Sequence, residues 1–233
     1  MSFLSLRGRP TEKTEYAGIP ECALPGQHSF IFDLFSRYVK PGARVIDLAS
    51  GRGAWPKRLA DAGYDVSASD IDPGKCEVAC LDIDLNQDFA EHFTGTSIDA
   101  VSCIEMLEHI ENPRHIFRGA AKMLDKDGVL ILSTPNASGL HSRVKFLATG
   151  RFAQFDDEQY NSIGHIRPIT FWELDKMLKE TGFEIAETRF FNHYDMVPRT
   201  LGEVVKLAAS AVLTPFVRGT AGGQTIVVVA RKR

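Results

Sequence analysis

The sequence predicts an α/β fold, a three-layer sandwich in which helices cover both faces of a mainly parallel β-sheet. Two observations support this prediction. Along most of the 233 residues, strand-like segments rich in Val, Ile and Leu alternate with segments of helical periodicity. A glycine-rich turn and several aspartates also follow successive strands, at the edge where open α/β sheets bind ligands. Hydrophobic residues make up 44% of the chain, enough for one substantial core.

The composition argues against several classes of protein. A formal net charge of -3 disfavours a protein that binds nucleic acid mainly through its phosphates. The N-terminus lacks the apolar core of a signal peptide, and no later segment reaches the roughly 18 apolar residues of a membrane span. No CxxC pair occurs among the four cysteines, which is typical of a reducing compartment. We therefore expect a cytoplasmic protein.

The first half of the chain predicts an N-terminal extension followed by a βαβ unit. Residues 1–40 are expected to form a lid or helical extension, and the helix "HSFIFDLFSRYVKPG" closes at Pro41 and Gly42. The unit itself consists of the strand "ARVIDLAS", the helix "AWPKRLADAG" and the strand "YDVSASDID". The predicted elements that follow are the strand "CEVACLDID", the weak helix "LNQDFAEHF", the strand "SIDAVSCIEML", the helix "NPRHIFRGAAKMLDKDG" and the strand "VLILSTPN".

The pattern loosens after Asn136. Residues 137–168 form a long connection with basic and aromatic side chains, which is typical of a lid or a binding loop. The helix "TFWELDKMLKETG" and the strands "FEIAETRFF" and "GQTIVVVARKR" complete the predicted sheet. Between these two strands, residues 199–218 have the periodicity of an amphipathic helix. This helix is either a cover packed on the sheet or a contact with a membrane surface or a second subunit.

The turn in "VIDLASGRGAW" has the features of a ligand site. Gly51 and Gly53 let backbone N–H groups and the start of a helix come close to a ligand, because no Cβ blocks the approach. The GxGxxG pattern of dinucleotide enzymes is incomplete, since Pro56 stands at its third glycine. No lysine follows the turn, as a P-loop would require.

Acidic residues at the ends of three strands predict a nucleoside site. Asp47, Asp70 and Asp82 end the first, second and third strands. Asp70 stands about 20 residues beyond the glycine turn, where a carboxylate can accept both ribose hydroxyls. Asp82 could accept the exocyclic amine of adenine, with Ile71 and Ile83 against the two faces of the base. Taken alone, each acid is equally well interpreted as a helix cap or a solvated loop residue.

These segments resemble the class I S-adenosylmethionine-dependent methyltransferases. The resemblance lies in "VIDLASGRG", "SASDID", "CLDID" and "IDAVSCIEMLEHIENPRHIFRGAAKMLDKDGVLILSTPN", and it extends over residues 41–233. It implies a Rossmann-like seven-strand sheet in the order 3-2-1-4-5-7-6 with an antiparallel last strand. It also implies the cofactor S-adenosyl-L-methionine, bound over the carboxyl ends of the first strands.

The resemblance also implies a role for each motif residue. Gly51 and Gly53 would face the methionine portion, Asp47 would brace the turn, Asp70 would bind ribose, Asp82 would bind adenine, and the backbone around Cys103 would bind the methionine amino group. Ala49 is a departure, because the family most often has glycine at this position. Cofactor affinity is the property that this departure affects.

The segment "EMLEHI" supplies candidate catalytic and metal-binding residues. If it turns helically, Glu105, Glu108 and His109 share one face and could hold a divalent ion such as Mg²⁺. His165 in "GHIRP" would be a fourth ligand or the base itself, so Glu108 and His165 are the catalytic candidates. The arrangement resembles the ExxEH motif of ubiquinone-biosynthesis O-methyltransferases and of small-RNA 2'-O-methyltransferases. Alternatively, the turn merely starts the next helix and His165 fixes a loop.

The lid "HSRVKFLATGRFAQF" bears on the methyl acceptor. Its basic and aromatic residues suit an anionic or partly apolar molecule. We therefore expect a small-molecule, lipid-linked or glycan hydroxyl as acceptor, with a peripheral membrane contact through the amphipathic helix. The alternatives are an RNA 2'-O-methyltransferase, an NAD-dependent oxidoreductase or epimerase, and a cofactor-binding module without catalysis.

Overall fold

The structure is a computed structural model that describes residues 14–191, 219 and 222–233. The predicted amphipathic helix 199–218 lies outside these residues. The helices are α1 (Gln27–Phe35), α2 (Ala54–Asp61), α3 (Pro113–Met123), α4 (Leu140–Thr149), α5 (Asp157–Ile163) and α6 (Phe171–Glu180). The strands are β1 (Glu15–Tyr16), β2 (Ile19–Pro20), β3 (Arg44–Leu48), β4 (Asp65–Asp70), β5 (Cys80–Asp82), β6 (Ile98–Ile104), β7 (Leu124–Pro135), β8 (Phe183–Phe191) and β9 (Thr225–Lys232).

Seven of these strands form one sheet in the order β5-β4-β3-β6-β7-β9-β8. Neighbouring strands from β5 to β7 pair in parallel, whereas β9 pairs antiparallel with both β7 and β8. Numbered by their chain order within the sheet, the strands follow 3-2-1-4-5-7-6. This arrangement confirms the predicted topology, including the antiparallel last strand. β1 and β2 form a separate hairpin before α1.

The core lies on both faces of the sheet. Successive residues of β3 point to opposite faces, so Val45 packs in the cluster that contains Phe35 and Trp55, and Ile46 packs in the cluster that contains Phe117 and Phe183. Most of β6 and β7 is continuously buried, as expected for central strands covered on both sides. Because β3 to β6 run in parallel, their carboxyl ends meet at one edge. Among the described helices, none combines the length and apolar character needed to span a bilayer.

Three predicted helices differ in extent from the observed ones. α1 ends before Pro41, because the chain tightens into turns in which the N–H of Arg37 bonds to the carbonyl three residues earlier. α3 gives way to β7 at Leu124, which pairs with Ile98 of β6. The segment 85–93 forms only a short 3₁₀ helix over its last five residues. At Leu124, strand pairing overrides the local helical pattern.

The contact between α3 and the 3₁₀ helix gives a test of the core. A Cβ at Gly119 would lie 2.2 Å from Cζ of Phe89, which is fully buried. We expect Gly119→Ala to lower the free energy of unfolding by about 1–2 kcal/mol, because overpacking outweighs the gain in helix propensity of about 1 kcal/mol. Urea unfolding measures the change. In the control Gly222→Ala, the new Cβ meets no heavy atom within 4 Å. A stabilised Gly119→Ala variant would contradict this packing.

Candidate active site

A cleft of about 840 Å³ lies at the carboxyl ends of the parallel strands. This volume is within the usual range of cofactor and ligand pockets. The turns after β3, β4, β5 and β6 contribute one wall, and residues 20–24 with His28 contribute another. Gln154, Ile163 and His165 close one end of the cleft. They belong to the predicted lid insertion, residues 137–168. The cleft therefore collects segments that are distant in sequence.

The buried carboxyl group of Asp47 ties the glycine turn to the neighbouring strand. Its Oδ2 accepts a hydrogen bond from Oγ of Ser50 (2.7 Å), and its Oδ1 accepts one from Oγ of Ser102 (2.6 Å). Nε1 of Trp55 in turn donates to Oγ of Ser102 (3.0 Å). Burial raises the pKa of Asp47 to about 7, against the lowering effect of the two serine hydroxyls. The bonds join β3, the turn, β6 and α2.

The backbone conformation of the turn after β3 accounts for the small residues found in it. Ala49 has φ +58°, in the left-handed region, which costs a non-glycine residue roughly 1–2 kcal/mol. This strain is a physical reason for glycine to be usual at the position. Gly51 lines the cleft, as expected. Gly53 does not, because its Cα faces Val78, whose Cγ2 would lie 2.9 Å from an added Cβ. Gly53 thus allows close packing against Val78 and does not line the cleft.

Asp70, Ile71 and Ile83 line the cleft where β4 and β5 end. Oδ2 of Asp70 accepts from the backbone N–H of Gly51 (2.8 Å), and Oδ1 accepts from the N–H of Asp72 (3.0 Å). Ile71, which is 67% exposed, and the buried Ile83 both line the cleft. The structure therefore brings together the ribose and adenine-face residues predicted from the sequence.

The residue predicted to bind adenine does not line the cleft, whereas the aspartate two positions on does. Asp82 is exposed at the end of β5 and does not line the cleft, whereas Asp84 does. The chain turns toward the cleft after Asp82, where the N–H of Ile83 bonds to the carbonyl of Asp70 (3.0 Å). The carboxylate of Asp84 accepts from the N–H of Asn86 (2.9 Å). Both aspartates occur in "DID", so the sequence contained the second candidate without distinguishing it.

The chain reaches the cleft directly after Cys103, at the end of β6. The side chain of Cys103 is fully buried inside the core, and burial raises the pKa of its thiol. Ile104 and Glu105 line the cleft, so a contact of the backbone around Cys103 with the methionine amino group stays a prediction. Glu105 has φ +49° and is not helical, so the predicted helical face does not form. Its Oε1 accepts from Nε2 of Gln27 (2.8 Å) and Oγ of Ser133 (2.7 Å). These bonds hold Glu105 apart from the other proposed ligands.

Three of the four predicted metal-binding residues do converge. One ligand atom from each of Glu108, His109 and His165 lies within 4.8 Å of the others. Nδ1 of His109 is 3.0 Å from the carbonyl of Gly164, and Nδ1 of His165 is 2.8 Å from the carbonyl of Gln154. A carbonyl only accepts, so each Nδ1 donates and each Nε2 keeps its lone pair. Burial lowers the pKa of both imidazoles, which favours their neutral form.

Glu108 is the third member of this cluster. Its side chain is fully buried in the 3₁₀ turn after β6, and its Oε2 accepts from Oγ1 of Thr134 (2.9 Å). Its Oε1 has no hydrogen-bond partner among the described residues. Burial, followed by the nearby Glu105, raises the pKa of Glu108 well above its ordinary value. A buried, unpaired carboxyl oxygen is costly, so it calls for a proton or a cation.

The N-terminal wall contains residues that the sequence analysis did not identify. Oε1 of Glu21 accepts from Arg58 of α2 (2.8 Å), and Nδ1 of His28 lies 3.6 Å from the same oxygen. The ring of His28 also contacts Trp55 edge-on, with 5.6 Å between centroids. Burial lowers the pKa of His28 to about 4. No local motif marks these residues, because they line the cleft only when residues 14–28 pack against α2.

Substitution of Asp47 tests the buried network through pH. The pKa of about 7 in the folded state exceeds the ordinary value near 3.9, so the folded protein binds more protons between these two pH values. Wild-type stability therefore has this contribution in full below about pH 4 and loses it as pH rises through about 7.

Asp47→Asn cannot titrate, and its amide can still pair with both serine hydroxyls. We expect the variant to lack this loss and to be more stable than wild type at pH 8, measured by urea unfolding from pH 4 to 8. The control Asp65→Asn alters an exposed carboxylate of β4 that pairs with Arg44, and it should follow wild type. Identical pH dependence in Asp47→Asn and wild type would contradict the network.

Sequence relatives support the functional assignment of this cleft. Ubiquinone biosynthesis O-methyltransferase of Xanthomonas campestris pv. campestris (strain B100) is 38% identical over 112 residues, 43% of this chain and 46% of the relative. The enzyme of the same name from Xanthomonas oryzae pv. oryzae (strain PXO99A) is 40% identical over 106 residues, 41% and 44% of the two chains. The match thus spans just under half the length of these curated relatives.

Solved structures share the fold. A SAM-dependent methyltransferase from Archaeoglobus fulgidus superposes with a TM-score of 0.63 at 18% identity, over 88% of this chain and 94% of that chain. Magnesium protoporphyrin IX methyltransferase from Synechocystis PCC 6803, with bound SAH, gives a TM-score of 0.55 at 20% identity, over 89% and 84%. A family model described as a methyltransferase domain matches residues 26–188. The chain therefore belongs to the class I S-adenosylmethionine-dependent methyltransferases.

Proposed function

We propose that this protein transfers the methyl group of S-adenosyl-L-methionine to a hydroxyl oxygen of a small-molecule, lipid-linked or glycan acceptor. The observation that carries the proposal is the cluster of Glu108, His109 and His165, which lines the same cleft as Asp70. An oxygen acceptor must lose a proton, and this cluster supplies neutral nitrogen bases where the acceptor would enter. The names of the Xanthomonas relatives, which are O-methyltransferases, also support oxygen.

The donor would lie along the wall formed by β3, β4 and β5. Asp70 would accept ribose hydroxyls, Ile71 and Ile83 would contact the two faces of the adenine, and Asp84 would accept its amine; all four residues line the cleft. In this proposal Asp84 takes the role that the sequence predicted for Asp82. The methionine portion would run past Ala49 and Gly51 toward Ile104 and Glu105, and on to the histidine cluster.

The chain contributes to the reaction mainly by positioning and proton transfer. Methyl transfer from a sulfonium is an in-line displacement, so holding the acceptor oxygen in line with the methyl group accounts for much of the acceleration. With no metal ion bound, Nε2 of His165 or His109 would accept the hydroxyl proton, because each ring is fixed by its Nδ1–H and is neutral. The lid residues Gln154 and Ile163 cover this end and limit the access of water.

The same three residues fit a divalent metal ion. Two imidazoles with the second nitrogen bonded to a carbonyl, together with an unpaired buried carboxyl oxygen, are a typical donor set. Glu108, His109 and His165 would hold the ion, and Glu105 would not. Because imidazole suits ions such as Zn²⁺ or Fe²⁺, we favour these over the Mg²⁺ predicted from the sequence. When bound, such an ion would lower the pKa of the acceptor hydroxyl and orient it.

The described cysteines are all free, which is consistent with the cytoplasmic location that the sequence predicts.

A screen of small-molecule, lipid and glycan extracts with methyl-labelled S-adenosylmethionine tests the whole proposal. Transfer of label to any hydroxyl-bearing component is expected. Transfer of label only to nitrogen or carbon atoms would contradict it.

Substitution of Asp70 tests the donor site. We expect Asp70→Ala to weaken binding of S-adenosylmethionine at least tenfold in calorimetry, because a charge-assisted hydrogen bond to ribose is lost. Asp65→Ala, at the other end of the same strand, serves as the matched control and should retain wild-type affinity. Equal affinity of Asp70→Ala and wild type would remove Asp70 from the donor site.

Substitution of His165 tests the metal site. We expect His165→Gln to weaken calorimetric binding of Zn²⁺ at least tenfold, whereas His92→Gln, which changes an exposed histidine, leaves it unchanged. Excess EDTA should lower label transfer by wild type at least tenfold, and added Zn²⁺ or Fe²⁺ should restore it. Full transfer in EDTA would exclude the metal and leave the imidazoles as bases.

A further inference from the structure

A second cavity, of about 250 Å³, adjoins the cleft at the lid insertion. It lies between α4, α5 and the chain around Asn136 and Gly223. Gln154 lines both this cavity and the cleft. The polar side chains that line it, among the residues described, are Asn136, His141, Ser142, Lys145, Gln154, Asp156, Gln159 and Gln224. No large apolar side chain belongs to this described lining, unlike the cleft.

The wall between the two cavities is part of the catalytic end. The carbonyl of Gln154 accepts the hydrogen bond from Nδ1 of His165 (2.8 Å). Gln154 also has φ +65°, a conformation that is unfavourable for a non-glycine residue and that tends to occur at functional sites. An acceptor that extends past Gln154 would have one group in the second cavity and its reacting oxygen beside His165.

The charges in the second cavity favour a neutral ligand. Nζ of Lys145 lies 2.8 Å from Oδ2 of Asp156, and both side chains are little more than a quarter exposed. Oδ1 of Asp156 accepts from the N–H of Gln159 at the start of α5 (3.1 Å). Lys145 and this N–H lower the pKa of Asp156, which favours its carboxylate form. The cation is thus already balanced by a fixed carboxylate.

This pair discriminates among ligand classes. A hydrocarbon tail would remove water from an ion pair without replacing its hydrogen bonds, which is unfavourable. A phosphate would approach Asp156 as closely as Lys145. A hydroxyl group, in contrast, donates to the carboxylate and accepts from the ammonium at the same time. The side-chain amide of Gln159, at the same cavity, can likewise bond to hydroxyl groups.

We propose, on the basis of the function proposed above, that the second cavity binds a neutral polyhydroxylated part of the methyl acceptor. Its volume corresponds to roughly eight water molecules at about 30 Å³ each, which suits one sugar or cyclitol ring and not a chain of them. Lys145, Asp156 and Gln159 are then specificity-determining residues. The acceptor class is a glycoside or a cyclitol derivative, and an alkyl-chain phenol would not fill the site.

Saturation-transfer NMR on the protein with bound S-adenosylhomocysteine tests this inference. The probes are methyl hexosides, methyl 6-deoxyhexosides and myo-inositol, with a 4-alkylphenol and inorganic phosphate as competing classes. We expect at least one polyol to bind wild type, and its affinity to fall at least fivefold in both Lys145→Met and Gln159→Leu. The control Lys122→Met changes an exposed lysine of α3 and should behave as wild type.

The affinity for S-adenosylmethionine, measured on the same samples, separates the two proposals. It should stay within twofold of wild type in all three variants. If wild type binds the donor but none of the polyols, or binds them equally in Lys145→Met and Gln159→Leu, the second cavity has been assigned wrongly. Displacement of the polyol signal by the alkylphenol at lower concentration would overturn it too. Failure of wild type to bind the donor would instead contradict the proposed function.

Discussion

The hydrogen bonds of the buried Asp47 carboxyl group are the interaction on which the donor end of the cleft depends. They join a turn with three left-handed residues to a neighbouring strand and, through Ser102, to Trp55 of α2. Such a turn has few backbone bonds of its own, so its conformation is determined by groups outside it. Burial makes each hydrogen bond of this network costly to lose, because a lost partner would leave a polar group unpaired away from water.

Hydrogen bonds of the same kind, from a hydroxyl to a carboxyl group, recur along this edge of the sheet. A carboxyl group after one strand accepts from a hydroxyl of the next strand in the pairs Asp47 with Ser102, Glu105 with Ser133, and Glu108 with Thr134. Parallel strands in register bring these positions together at their carboxyl ends. Ser133 and Thr134 are consecutive, so their side chains diverge, and they direct the two glutamates to different partners. One glutamate joins α1 through Gln27, and the other joins the histidines.

In the function proposed here, this separation lets one cleft serve two substrates. The donor end is built from short turns whose carboxylates accept N–H groups of the chain, as Asp70 does from Gly51. The acceptor end contains two imidazoles whose orientation depends on carbonyls of the lid insertion. A change in the lid would therefore alter the acceptor site and leave the donor site in place. In the function proposed here, acceptor choice lies in the lid and in the second cavity beside it.

The sequence by itself determined the sheet, its strand order through the family resemblance, and the edge at which ligands bind. These features follow from local periodicity and from motifs within a few residues of each strand, which need no knowledge of distant packing. It also identified Asp70, Glu108, His109 and His165, whose ligand roles are the subject of the proposals. Only the tertiary structure decided which residue of a motif faces the cleft, as in the lining of the cleft by Asp84 and not by Asp82.

That choice depends on where the backbone turns after a strand, as it does at Ile83, whose N–H bonds to the carbonyl of Asp70. The role of Glu105 was likewise decided by Gln27, which lies 78 positions away in the chain. The same holds for the wall formed by Glu21 and His28, and for the ion pair of Lys145 and Asp156 beside His165. Contacts between distant segments leave no periodic signal in the sequence, because they arise only when the segments pack together.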